Sequence, residues 1–92
     1  MPVATPAPAL RDELTLTIYG REYCHLCQEM TAALQQLQTQ LSFRLEVVDV
    51  DGNPHLRAHY GERVPVLVAG GHEICHYHFD PVALDAYFTK IR

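Results

Sequence analysis

The pentapeptide Tyr23-Cys24-His25-Leu26-Cys27 constrains this chain more than any other stretch. Before it, Leu14-Thr15-Leu16-Thr17-Ile18-Tyr19 alternates apolar and polar residues, the period-2 pattern of a half-buried strand, and Gly20 ends the run. After it, Leu26, Met30, Leu34, Leu37 and Leu41 recur at steps of 4, 4, 3 and 4, which predicts a helix over residues 26–41. Gln35, Gln36, Gln38 and Gln40 then turn mostly to solvent. Two cysteines separated by two residues, where a strand becomes a helix, form the arrangement that thiol–disulfide chemistry needs. At i and i+3 on a first helical turn their Cα atoms stand roughly 5 Å apart, within a disulfide's reach. Free N–H groups at the positive end of the helix dipole stabilise a thiolate on Cys24, and Arg21 adds positive charge. Cys24 is expected to attack and Cys27, a turn deeper, to resolve.

Ninety-two residues make one domain, enough for one core but not for a large enclosed cavity. The formal net charge of −4, with seven scattered basic residues, argues against nucleic acid or an anionic membrane surface as partner. No window approaches the ~20 apolar residues of a membrane span. Residues 1–12 are Pro/Ala-rich and read as a disordered tail, and 13–92 as the folded domain. Residues 1–9 carry no basic residue and no apolar h-region, so the expected address is cytoplasmic. Three cysteines, an odd number, do not make a secreted disulfide framework.

Further along, residues 43–51 read as a second strand, with Phe43, Leu45 and Val47 on one face and Val48 and Val50 in an apolar end. Strand–helix–strand of this length implies a right-handed crossover and parallel strands. Asn53-Pro54 is an N-cap followed by proline at the first helical position, opening a short helix over 54–60 that closes at Gly61 in the C′ position. Residues 64–68 form a third strand, and Pro65, which has no N–H to donate, belongs at its start or edge. Gly70-Gly71 supplies a hairpin turn, and residues 73–79 return antiparallel. Asp80-Pro81 starts a last helix whose apolar side is Val82, Ala83, Ala86, Tyr87 and Ile91.

The order β-α-β-α-β-β-α, with CxxC after the first strand and Val-Pro at the third, resembles the thioredoxin fold, and within it the glutaredoxin-like group. The resemblance spans about residues 14–91 and implies an α/β domain with a four-stranded mixed sheet and helices on both faces. It implies that Cys24 is the nucleophile and Cys27 the resolving cysteine of a thiol–disulfide oxidoreductase acting in cell redox homeostasis. Tyr23 matches the aromatic residue before the first cysteine, and Arg21 the basic residue that contacts a glutathione carboxylate. Pro65 matches the cis-proline beside the active site, with Val64 offering backbone hydrogen bonds to a substrate disulfide. The implied substrates are protein or glutathione disulfides, reached by a monomer. No cofactor is bound, and glutathione or a thioredoxin-reductase-type enzyme serves as reductant. Two features depart from the family. The pair inside the motif is His25-Leu26, as in a set of small glutaredoxin-like domains. The stretch Cys75-His76-Tyr77-His78-Phe79-Asp80 is bulky where glutaredoxins carry Gly-Gly and an acidic residue for glutathione.

Other readings compete at several positions. His25, when protonated, would tune the Cys24 thiol, or it is only an exposed first-turn residue. Cys75, His76 and His78 with Cys24 and Cys27 suggest a metal-binding module, but strand alternation puts Cys75 on one side and the two histidines on the other. Cys75 is then a small core residue and no metal site is expected. His55 and His59, at i and i+4, would bind only an added metal such as nickel. A non-catalytic interaction domain with an idle CxxC is the remaining alternative.

Overall fold

The computed structural model describes residues 14–91, without the side chain of Ile91. The tail expected over residues 1–12, and Glu13, lie outside the described residues. The elements run β1 (Thr15–Gly20), α1 (His25–Leu37), β2 (Arg44–Asp49), α2 (Pro54–Tyr60), β3 (Val66–Ala69), β4 (His72–His76) and α3 (Pro81–Ile91). A single 3-10 turn, Val50–Gly52, joins β2 to α2. The order is the predicted one, and the strands form a mixed sheet in the order β2-β1-β3-β4. β1 and β2 are parallel; β1 with β3 and β3 with β4 are antiparallel.

Period-2 patterning in β1 decides where the core lies. Leu16 and Ile18 point to one face and are wholly buried, opposite Ala69 and Leu67 of β3. Met30 and Leu34 from α1, Leu84 and Phe88 from α3, and Phe43 close that face. On the other face Tyr19 stacks on Tyr60 of α2, with ring centroids 4.2 Å apart and planes 12° from parallel. Helices therefore cover both faces. α2 buries no residue fully, so its local signals matter: Asn53 Oδ1 accepts the His55 and Leu56 N–H groups at 2.8 and 3.3 Å, and Pro54 follows.

Element ends differ from the sequence expectations for identifiable reasons. α1 stops at Leu37 rather than at residue 41, because the Gln38 side-chain amide donates to the Phe43 carbonyl at 3.0 Å and turns the chain toward β2. Leu41 is left exposed. β2 ends at Asp49, whose carboxylate accepts the Asp51 N–H and caps the 3-10 turn. β3 pairs only from Val66, after the prolyl bond, and β4 ends at His76, where Tyr77 takes a positive φ of 65°. Leu67 pairs with Cys75 but Val68 with Glu73, so Ile74 is an extra residue in the ladder. That bulge breaks the expected alternation: Ile74 and Cys75 both pack half-buried against the core, while His76 and His78 are exposed. Gly61 sits in the right-handed region at φ −55°, not at a left-handed C′ position. A Cβ there would collide with the Arg57 carbonyl oxygen, so close approach rather than handedness asks for glycine.

The last helix corrects the sequence reading most. Its buried face is Leu84 and Phe88, with Ala83 and Tyr87 half-buried, whereas Val82 is 77% exposed and Ala86 is exposed. The Ile91 side chain lies outside the described residues. Asp80 Oδ1 accepts the Ala83 N–H at 3.1 Å, as the predicted cap requires.

Candidate functional site

The end of β1 delivers the cysteine turn. Gly20 is buried beneath Cys27: a Cβ at that position would stand 3.0 Å from the Cys27 Sγ, so any side chain there would force the sulfur to shift. The chain then turns through Arg21, Glu22 and Tyr23, and Tyr23 holds a left-handed φ of 58°. This conformation costs a non-glycine residue free energy. Cys24 follows as the N-cap of α1 with extended backbone, φ −101° and ψ 107°. Its Sγ accepts the Cys27 N–H at 3.1 Å, the place an oxygen of serine or aspartate takes in an ordinary cap. No acidic residue lies in the first turn to oppose negative charge on that sulfur. Cys24 and Cys27 are joined as a disulfide with Cα atoms 5.1 Å apart. The cap geometry favours thiolate on Cys24, and accessibility points the same way: Cys24 is partly exposed, Cys27 only 7%.

The other sequence candidates fall around this pair unequally. The Arg21 Nη2 pairs with Asp51 Oδ1 at 3.1 Å, so part of its charge is spent on the 3-10 turn. Tyr23 is 97% exposed and does not pack over the cysteines. The His25 ring lies 2.6 Å from Glu29 Oε2, one turn on, along the outer surface of α1. Val64–Pro65 is a cis peptide bond, as expected, and Pro65 is buried. Because Val66 pairs with Tyr19, Pro65 lies at the sheet end where β1 passes into the cysteine turn.

The segment before β3 is fastened from β4. The Tyr77 N–H donates to the Pro65 carbonyl at 2.9 Å, and the Tyr77 hydroxyl to the Glu62 carbonyl at 3.0 Å. Arg63 is ion-paired with Glu73, donates to the His59 carbonyl at 2.9 Å, and Glu73 also meets His76 Nδ1 at 2.7 Å. Burial would raise the Glu73 pKa, but its hydrogen bonds from Arg63 and His76 prevail and hold it below the ordinary carboxylate value. Burial pushes the Cys75 thiol up. Among the described residues no group of three or more His, Cys, Asp or Glu side chains is placed to hold a metal ion. No helix among them is long and apolar enough to cross a membrane.

Sequence reasoning missed three things here: Gly20 as the spacer under Cys27, Asp51 as the partner of Arg21, and a groove of about 560 Å³ beside the disulfide. Gly20 carried a signal, being glycine directly before a reactive loop. The groove carried none, since α1 and β2 residues line it together and only the fold brings them into contact.

Comparison with known proteins agrees with this architecture. The family model described as "Glutaredoxin-like domain (DUF836)" matches residues 15–89. An uncharacterized protein of Mycobacterium tuberculosis is 35% identical over 75 residues, covering 76% of this chain and 77% of its own. The solution structure of protein Ne2328 from Nitrosomonas europaea is 51% identical, covers 79% of this chain and 88% of that one, and superposes with a TM-score of 0.73. Thioredoxin 1 from Thermosipho africanus, 20% identical with a TM-score of 0.57 over 83% of this chain and 96% of its own, shares the fold. With its fold, its Cys24–Cys27 turn and a family match over nearly the whole described length, the chain belongs to the glutaredoxin-like domain family and has the thioredoxin fold.

Proposed function

We propose that this domain is a thiol–disulfide oxidoreductase in which Cys24 attacks and Cys27 resolves. The observation that carries the reading is the cap geometry: Cys24 is the N-cap of α1, its Sγ takes the Cys27 N–H at 3.1 Å, and Cys27 stands within disulfide reach behind it. In the dithiol form the Cys24 thiolate attacks one sulfur of a substrate disulfide. A Cys24–substrate bond forms, the substrate bond breaks, and the second substrate sulfur leaves as a thiolate that takes up a proton. The Cys27 thiolate then displaces the first substrate sulfur. The substrate has gained two electrons and two protons, and Cys24–Cys27 is a disulfide, to be returned to the dithiol by glutathione or by a dithiol reductase. The expected setting is the cytoplasm, with the domain acting as a monomer.

Trapping tests the order of events. In Cys27→Ser, reaction with a disulfide substrate is expected to stop at a stable adduct on Cys24, seen by intact mass and peptide mapping. Cys24→Ser is expected to form none. Adducts on Cys27 or Cys75 instead, or none in either variant, would overturn the proposal.

A further inference from the structure

The groove beside the disulfide follows from how α1 crosses the sheet. The helix stripe that meets β2 is Gln28, Thr31, Ala32 and Gln35, small or polar at spacings of 3, 1 and 3. Such side chains do not fill the space over the end of the edge strand. Val47, on the same sheet face as Ile18, therefore stays 59% exposed in the groove. Cys27 and Ile18 also line it, and Tyr23, 97% exposed and held out on a left-handed backbone, lines it from the cysteine turn. Val47 and Tyr23 are thus two large side chains with apolar surface left bare beside the reactive pair. The Gln28 and Gln35 amides on the helix wall offer donors and acceptors to a main chain. The remaining lining charges are Arg21, Glu22 and Asp49, and Asp51 already pairs with Arg21, so the mouth is net acidic.

We propose that this groove docks an extended segment of the protein whose disulfide is exchanged, seating one apolar side chain against Val47 and Tyr23 with lysine or arginine alongside Glu22 and Asp49. The inference rests on the proposed oxidoreductase reading for its substrate. The acidic mouth repels the carboxylates of glutathione disulfide and selects cationic protein segments by charge.

Docking is measured without chemistry. The probes are fluorescent ten-residue peptides carrying one leucine, serine in place of cysteine, and either four lysines or four glutamates, titrated against the oxidised full chain at low salt. The lysine peptide is expected to bind at least about tenfold more tightly than the glutamate peptide, and to weaken as salt is added. Replacing its leucine by serine is expected to abolish binding. Amide shifts in nuclear magnetic resonance are expected to centre on Tyr23, Gln35 and Val47. Val47→Ser, at an exposed edge position that does not threaten folding, is expected to weaken the lysine peptide about tenfold, and Glu22→Lys to narrow the preference between the two charges. Equal binding of both peptides, no dependence on leucine, or shifts centred elsewhere would overturn the proposal even if disulfide exchange is confirmed. Binding as expected in a protein that exchanges no disulfide would leave the docking surface standing and sink the oxidoreductase reading alone.

Discussion

At the scale of residues, the three cysteines are separated by their surroundings rather than by their type. Cys24 caps a helix, takes an N–H on its sulfur and is partly exposed; Cys75 is half-buried on a strand, and burial raises its pKa. In the reduced protein at pH 7, iodoacetamide is expected to label Cys24 at least about tenfold faster than Cys75, because the thiolate is the nucleophile. Time-resolved peptide mapping reads the two rates, and equal rates would remove the argument from the cap. The placement of Cys24 and Cys27 at a strand-to-helix turn, within disulfide reach of each other, was legible in the sequence because strand pattern, spacing and helix pattern all meet there. The surroundings of Arg21 were not: Asp51 lies thirty residues away, and only the parallel pairing of β1 with β2 brings the two together. Gly20 was read as a strand terminator, and its closeness to the Cys27 sulfur is a fact of three dimensions.

At the scale of elements, local chemistry placed the starts better than the ends. Asn53-Pro54 and Asp80-Pro81 both open helices where the sequence put them, since a cap needs only neighbours in the chain. Ends are set by side chains reaching elsewhere, as Gln38 does to Phe43 and Tyr77 does to Glu62. α3 was misread in part because Val82 and Ala86 fit a helical stripe with the half-buried Ala83 and Tyr87 as well as Leu84 and Phe88 do; the choice belongs to the sheet it lands on. Truncation separates the two stripes. Leu84→Ala is expected to lose about 2–5 kcal/mol, because the side chain is 2% exposed within the core. Val82→Ala, at a position 77% exposed, is expected to stay within about 0.5 kcal/mol of the parent. Urea unfolding measures both, and a reversed ranking would contradict the assigned face.

At the scale of the whole molecule, Glu73 of β4 and Tyr77 just after it fasten to the segment before β3, and Glu73 titrates. Glu73 holds Arg63 and His76 and has a lowered pKa. A carboxylate with a depressed folded pKa contributes stability above its unfolded value, near 4.5, and loses it as pH falls through the lower folded value. The contribution is under about 1 kcal/mol for a pair a third exposed. Thermal unfolding of the parent against Glu73→Gln is expected to show a small parental advantage at pH 6 that shrinks as pH falls below about 4.5. Parallel curves down to pH 3 would show that the attachment carries no stability.

The central claim is that the Cys24–Cys27 turn is a working redox couple. The most direct measurement equilibrates the protein across ratios of glutathione to glutathione disulfide, quenches with acid, and reads the oxidation state by intact mass. A working couple gives a cooperative two-electron transition between dithiol and Cys24–Cys27 disulfide, with Cys75 reduced throughout. Cysteines that stay reduced, or oxidise without pairing to each other, at every ratio would contradict it.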